Sequence, residues 1–86
     1  MMTIEDNAAV RRMLGIRIRT LRKQCGKSQN ALAEDSGVNR SYLAGVESGA
    51  RNVSIDNLIC ISFGLGVTLS ELFEGVVAEL PKHGGE

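Results

Sequence analysis

The stretch SQNALAEDSGVNRSYLAGVES, residues 28–48, decides the fold of this chain. Ser28 and Asn39, two residue types that favour helix N-termini, each precede a short helical pattern. Two short helices that meet at a steep angle need a small residue where they touch and a turn residue that tolerates positive φ. Ala33 and Gly37 meet these two needs. The stretch therefore predicts two short helices joined by a tight turn.

Apolar residues at three- and four-residue intervals predict three further helices outside this stretch. They cover residues 10–25, 54–63 and 68–80, and their ends are marked by Gly26, Gly64 and Pro81. The second of these three is apolar on most sides, so we expect it to be the central helix. The predicted fold is all-α, a compact five-helix domain over residues 10–80, with a flexible N-terminal segment at residues 1–9 and a tail at residues 81–86.

Composition is typical of one small domain with an aliphatic core. The chain has 86 residues, of which 43% are hydrophobic and only 3% aromatic, so the core must be built from Leu, Ile, Val, Ala and Met. No apolar stretch approaches the ~20 residues that span a bilayer, and the N-terminus lacks a signal pattern, so we expect a cytoplasmic protein. Cys25 and Cys60 lie within apolar helical patterns, so we expect buried reduced thiols.

The charges are unevenly distributed although the formal net charge is zero. Nine basic and three acidic residues lie between Arg11 and Arg51, whereas the rest of the chain holds one basic and seven acidic residues. The molecule should therefore have a basic half suited to phosphate and an acidic half that faces away from it.

One face of the second short helix is suited to a DNA groove. If Leu43 and Val46 turn inward, Arg40, Ser41 and Gly45 are left on the outer face. A helix with a charged or polar N-terminal end and small residues further along can enter the major groove.

The chain resembles the Cro and lambda-repressor type of helix-turn-helix regulator, also called the xenobiotic-response-element family. The residues that carry the resemblance are LRKQCGKSQ from Leu21, Leu32-Ala33, Gly37-Val38, SYL from Ser41, VESG from Val46, Arg51-Asn52 and LGVTLSELF from Leu65. They span roughly residues 14–74. The resemblance implies a lambda-repressor-like fold whose recognition helix covers residues 39–48.

The resemblance also implies which residues contact DNA. The implied base contacts are Asn39, Arg40, Ser41 and Gly45. The implied contacts to the DNA backbone are Lys27, Ser28, Gln29, Tyr42, Arg51 and Asn52. An arginine in this place can donate two hydrogen bonds to guanine. Simpler alternatives remain open: Arg40 and Ser41 as solvated surface residues, Ser28 as a plain N-cap, and Tyr42 as a packing residue. Arg22 and Glu47 occupy the positions of a structural ion pair.

The function implied is a transcriptional regulator that binds a near-palindromic operator on double-stranded DNA as a homodimer. The layout looks like that of restriction-modification controller proteins, while a phage-type repressor or an antitoxin would share the fold. A protein-binding adaptor without DNA affinity is the alternative from another class. The sequence points to no enzyme activity, cofactor, metal, small-molecule ligand or membrane partner. The predicted dimer interface lies on the last helix and comprises Phe73, Val76, Val77 and Leu80.

Overall fold

A computed structural model of the chain describes residues 4–76, with side chains described from residue 7. This part forms five helices and no strand, as the all-α prediction requires. The helices are α1 (Ile4–Gln24), α2 (Gln29–Ser36), α3 (Arg40–Glu47), α4 (Ile55–Leu65) and α5 (Leu69–Leu72). None of the helices in residues 4–76 combines the length and the apolar character needed to cross a bilayer.

Side-chain caps start four of the helices where the sequence predicts them. In each, a hydroxyl or amide oxygen accepts a hydrogen bond from the backbone N–H three residues further on, which satisfies a donor that the helix leaves unpaired. The N-caps are Ser28, Asn39, Ser54 and Thr68. Thr68 and Glu71 form a reciprocal capping box. The N–H of Thr68 donates to the Glu71 carboxylate and holds the pKa of that group below its ordinary value.

Each helix contributes one fully buried aliphatic side chain to a single core. These side chains are Ile18, Leu32, Leu43, Ile61 and Leu72. Because Leu32 of α2 and Leu43 of α3 meet in this shared core, the angle between the two short helices is fixed by all five elements. The outer face of α3 is therefore held in a defined orientation.

Two glycines let helices cross at backbone contact. A Cβ on Gly15 of α1 would lie 2.6 Å from the carbonyl oxygen of Val46 at the end of α3. A Cβ on Gly64 of α4 would collide with the hydroxyl of Ser36 in α2. Both sites exclude a larger residue, because the neighbouring atoms are backbone or a buried side chain.

The first helix begins at Ile4, whereas the sequence predicts a start at Val10. The helix therefore includes residues 4–9, which the sequence assigned to the N-terminal segment, and residues 1–3 lie outside the described part. Ala8 and Ala9 are the strongest helix formers, and the acidic residues Glu5 and Asp6 occur where the helix dipole favours negative charge.

The last helix is shorter than predicted. It ends at Leu72 instead of continuing to Leu80, and a turn follows in which Gly75 has φ 76°. The N–H of Val76 donates to the carbonyl of Phe73 at 2.9 Å, which closes this turn. Glycine adopts positive φ without steric cost, so it ends the helix despite the apolar pattern. The predicted tail and residues 77–80 lie outside the described part.

The fourth helix is not buried on all sides. One face packs against α2 and α5, while Ile55, Ile59 and Phe63 on another face are 58%, 49% and 81% exposed. Cys25 and Cys60 are also exposed, so the prediction that they are buried is wrong. Because α4 packs mainly against α2 and α5, its apolar pattern extends beyond the area that these two helices cover.

Candidate nucleic-acid interface

The first turn of α3 faces solvent. Leu43 and Val46 are buried, which leaves Asn39, Arg40 and Ser41 exposed at the N-terminal end of the helix. The Oδ1 atom of Asn39 accepts a hydrogen bond from the N–H of Tyr42 at 3.2 Å, so this oxygen serves as the cap.

Gly45 is covered by a residue from the following loop. A Cβ on Gly45 would lie 2.6 Å from Cγ and 3.2 Å from Nε of Arg51. The Arg51 guanidinium lies 5.7 Å from the centroid of the Tyr42 ring, within range of a cation–π interaction. The missing side chain at position 45 thus makes room for Arg51 along the outer face of α3.

Tyr42 is positioned by a residue that the sequence analysis did not single out. Its hydroxyl oxygen accepts a hydrogen bond from Nδ2 of Asn57, in the first turn of α4, at 3.1 Å. The ring is half-buried against the core. Tyr42 therefore has a packing role and, in addition, orients Arg51. Nothing in the spacing of Asn57 distinguishes it from an ordinary polar residue on a helix surface.

The structure brings Arg22 and Glu47 together in a buried pair that joins α1 to α3. Arg22 donates from Nε to Oε2 of Glu47 at 2.7 Å and from Nη2 to Oε1 at 3.0 Å. Gln29 of α2 donates to the same Oε1 at 3.1 Å, and Arg22 also donates to the carbonyl of Lys27 at 2.9 Å. The Glu47 carboxylate thus links α1, α2 and α3 at the end of α3.

The ammonium group of Lys27 is engaged within the protein. Its Nζ atom donates to the carbonyl oxygen of Gly64 at 2.6 Å and pairs with Oδ2 of Asp35 at 2.7 Å. These contacts link the start of α2 to the end of α4. A phosphate contact by Lys27, which the resemblance implies, would compete with these two contacts.

The other residues predicted to have a function belong to two groups, the contacts to the DNA backbone and the dimer interface. Ser28 is exposed at the start of α2, and Asn52 is exposed in the loop after α3, where half-buried Val53 anchors the chain to the core. In the predicted dimer interface, Phe73 is 38% exposed, whereas Val76 packs against the core. Val77 and Leu80 lie outside the described residues.

No group of three His, Cys, Asp or Glu side chains that could hold a metal ion occurs in the described part of the chain.

Comparisons with known proteins agree with this geometry. The family described as helix-turn-helix matches residues 18–72. The control protein C.MunI of a Mycoplasma species is 44% identical over 66 residues, which cover 76% of this chain and 89% of that protein.

Solved structures of controller proteins are also similar to this chain. The crystal structure of the restriction-modification controller protein C.AhdI of Aeromonas hydrophila matches with a TM-score of 0.72 at 44% identity, over 73% of this chain and 96% of that one. The controller protein C.Esp1396I, solved as a tetramer in complex with its natural 35 base-pair operator, matches with a TM-score of 0.73 at 31% identity, over 78% of this chain and 88% of that one. These matches confirm the resemblance seen in the sequence, and the chain belongs to the helix-turn-helix family, with restriction-modification controller proteins among its relatives.

Proposed function

We propose that this chain is a sequence-specific DNA-binding transcriptional regulator of the controller type, which binds a near-palindromic operator as a homodimer. The observation that carries the proposal is the outer face of α3, where Arg40, Ser41 and Arg51 lie exposed on a helix that the whole core holds in place. The relative C.Esp1396I, which was solved on its operator, supports the choice of partner. A transcription regulator of this kind acts by binding DNA in the cytoplasm and needs no catalytic group.

In this proposal α3 lies in the major groove, and two arginines read bases. Arg40 approaches from the first turn and donates two hydrogen bonds to a guanine, a contact worth about 1–3 kcal/mol of discrimination. The Arg51 side chain fills the space that a side chain at position 45 would occupy, and it approaches the groove further along α3. Ser28, Gln29 and Asn52 contact the DNA backbone, while Lys27 does not.

Replacing Arg40 with alanine should weaken operator binding by about 1–3 kcal/mol and random duplex binding much less. The operator is first obtained by selection from random duplexes, and affinities are measured by fluorescence anisotropy at fixed salt. Arg40→Lys is the matched control, because it keeps the charge but lacks the planar pair of donors, and it should also lose discrimination. Equal losses on operator and random duplex would restrict Arg40 to a phosphate contact. If the wild-type chain binds no duplex, a protein-binding adaptor without DNA affinity would be the better explanation.

Replacing Gly45 with alanine should weaken operator binding by displacing Arg51. The added methyl would lie 2.6 Å from Cγ of Arg51, so the arginine side chain must shift away from this position. Alanine favours a helix over glycine, so the free energy of unfolding should not fall. A double-mutant cycle in anisotropy measures the effect: Gly45→Ala should have no further effect on operator affinity in an Arg51→Ala background. Additive losses would mean that position 45 touches DNA independently of Arg51.

The dimer surface proposed here differs from the one that the sequence suggested. Ile55, Ile59 and Phe63 are spaced four residues apart along α4 and form one exposed apolar stripe, with Phe73 exposed beyond the end of α5. A domain this small rarely leaves a phenylalanine 81% exposed without a partner. We propose that a second copy of the chain covers this α4 stripe, since a two-fold axis lets one apolar patch meet its own copy.

A further inference from the structure

The N-terminal half of α1 lies beside the loop that follows the recognition helix. The helix-turn-helix match begins at residue 18, whereas α1 begins at Ile4, so about 21 Å of helix precedes the matched region. The backbone of this added part touches the loop: a Cβ on Gly49 would lie 2.9 Å from Cα and 2.7 Å from Cγ of Arg12. Gly49 lies two residues before Arg51, so Arg12 is adjacent to the proposed DNA-contacting loop.

The same part of α1 is strongly basic. From Asn7 to Gln24 the helix has six basic residues and no acidic residue. Arg22 pairs with Glu47, and Arg17 donates to the carbonyl of Glu71 at 2.8 Å. Arg12 is exposed, and no ion pair joins it to an acidic side chain among residues 7–76. Its charge is thus available on the side of α1 that contacts the loop.

We propose that Arg12 binds a DNA phosphate next to the one contacted by Asn52 in the loop after α3, so that the extended α1 adds a phosphate contact to each subunit. The proposal rests on the proposed function and adds a contact outside the region that matches the family. A phosphate contact raises affinity on every sequence alike, because the backbone is the same at every base pair.

The first test is the salt dependence of binding for Arg12→Gln in the full chain. Each phosphate contact contributes about 0.9 to the slope of log affinity against log salt. The slope should therefore be shallower by about one unit for operator and random duplexes alike. Between 50 and 200 mM salt, the variant should lose about 3.5-fold less affinity than the wild type. Arg12→Lys, which keeps the charge, should retain the wild-type slope.

The second test removes the charge of single operator phosphates by methylphosphonate substitution. The substitution next to the phosphate contacted by Asn52 should weaken the wild type and leave Arg12→Gln nearly unchanged, because the variant no longer uses that phosphate. A wild-type slope in Arg12→Gln, or equal sensitivity of both proteins to every methylphosphonate, would overturn the assignment of Arg12. Failure of the wild type to bind any duplex would instead overturn the proposed function, so the two failures are distinguishable. Thermal unfolding of each variant checks that α1 is intact.

Discussion

Replacing Arg22 with methionine should lower the free energy of unfolding by about 3–5 kcal/mol. The side chains of Arg22 and Glu47 are only 10% and 4% exposed. Without the guanidinium, the Glu47 carboxylate stays buried with Gln29 as its remaining side-chain donor. Small domains are stable by about 5–15 kcal/mol, so the loss is a large fraction of the total. Urea denaturation followed by circular dichroism measures it, and an unchanged m-value would show that the transition remains two-state.

The matched control is the double variant Arg22→Met with Glu47→Leu. Two apolar side chains in place of a buried ion pair are often neutral or stabilising, so the double variant should recover most of the lost stability. This recovery would locate the penalty in the unpaired carboxylate. A loss below about 1 kcal/mol in the single variant would contradict the prediction, because it would mean that Glu47 reaches water at little cost.

Replacing Ile59 and Phe63 together with aspartate should convert a dimer into a folded monomer with much weaker operator binding. Both side chains are exposed in the single chain, so the charges should disturb the interface and not the core. Losing the second half-site removes the gain from bivalent binding, which is typically about 100- to 10,000-fold. Sedimentation gives the oligomeric state, and anisotropy on the operator gives the affinity.

Ile16→Asp provides the matched control for this experiment. Ile16 is 64% exposed on α1, so it tests a charge introduced at another exposed isoleucine. This variant should remain dimeric. A wild-type chain that sediments as a monomer at tens of micromolar would contradict the proposed dimer, and a double aspartate variant that still dimerises would place the interface elsewhere.

Local signals in the sequence predicted the starts of α2, α3, α4 and α5 well, but not the start of α1. Ser28, Asn39, Ser54 and Thr68 act on a backbone N–H only three residues away, so their role depends little on the rest of the fold. Helix ends were harder. The apolar pattern after Thr68 predicted a long helix, but the turn at Gly75 overrode it.

Features that depend on distant parts of the chain were not predictable from spacing. Lys27 looked like a phosphate ligand, yet its ammonium meets the carbonyl of Gly64, 37 residues away. The position of Arg51 over Gly45 depends on how the loop folds back onto α3. Similarly, the pattern of α4 shows that Phe63 is apolar but not which side of the helix its neighbours leave uncovered.

One face of α4 carries the exposed apolar stripe, and another face packs against α2 through Gly64. No flexible loop therefore separates the proposed dimer axis from the helix-turn-helix unit. The distance between the two recognition helices of the dimer would then be fixed, and so would the separation of the two half-sites that the dimer can bind. One inserted base pair advances a half-site by about 3.4 Å and turns it by about 34–36° around the duplex. A protein without a hinge at this point can meet such a change only by deforming the DNA, so its operators should share one spacer length.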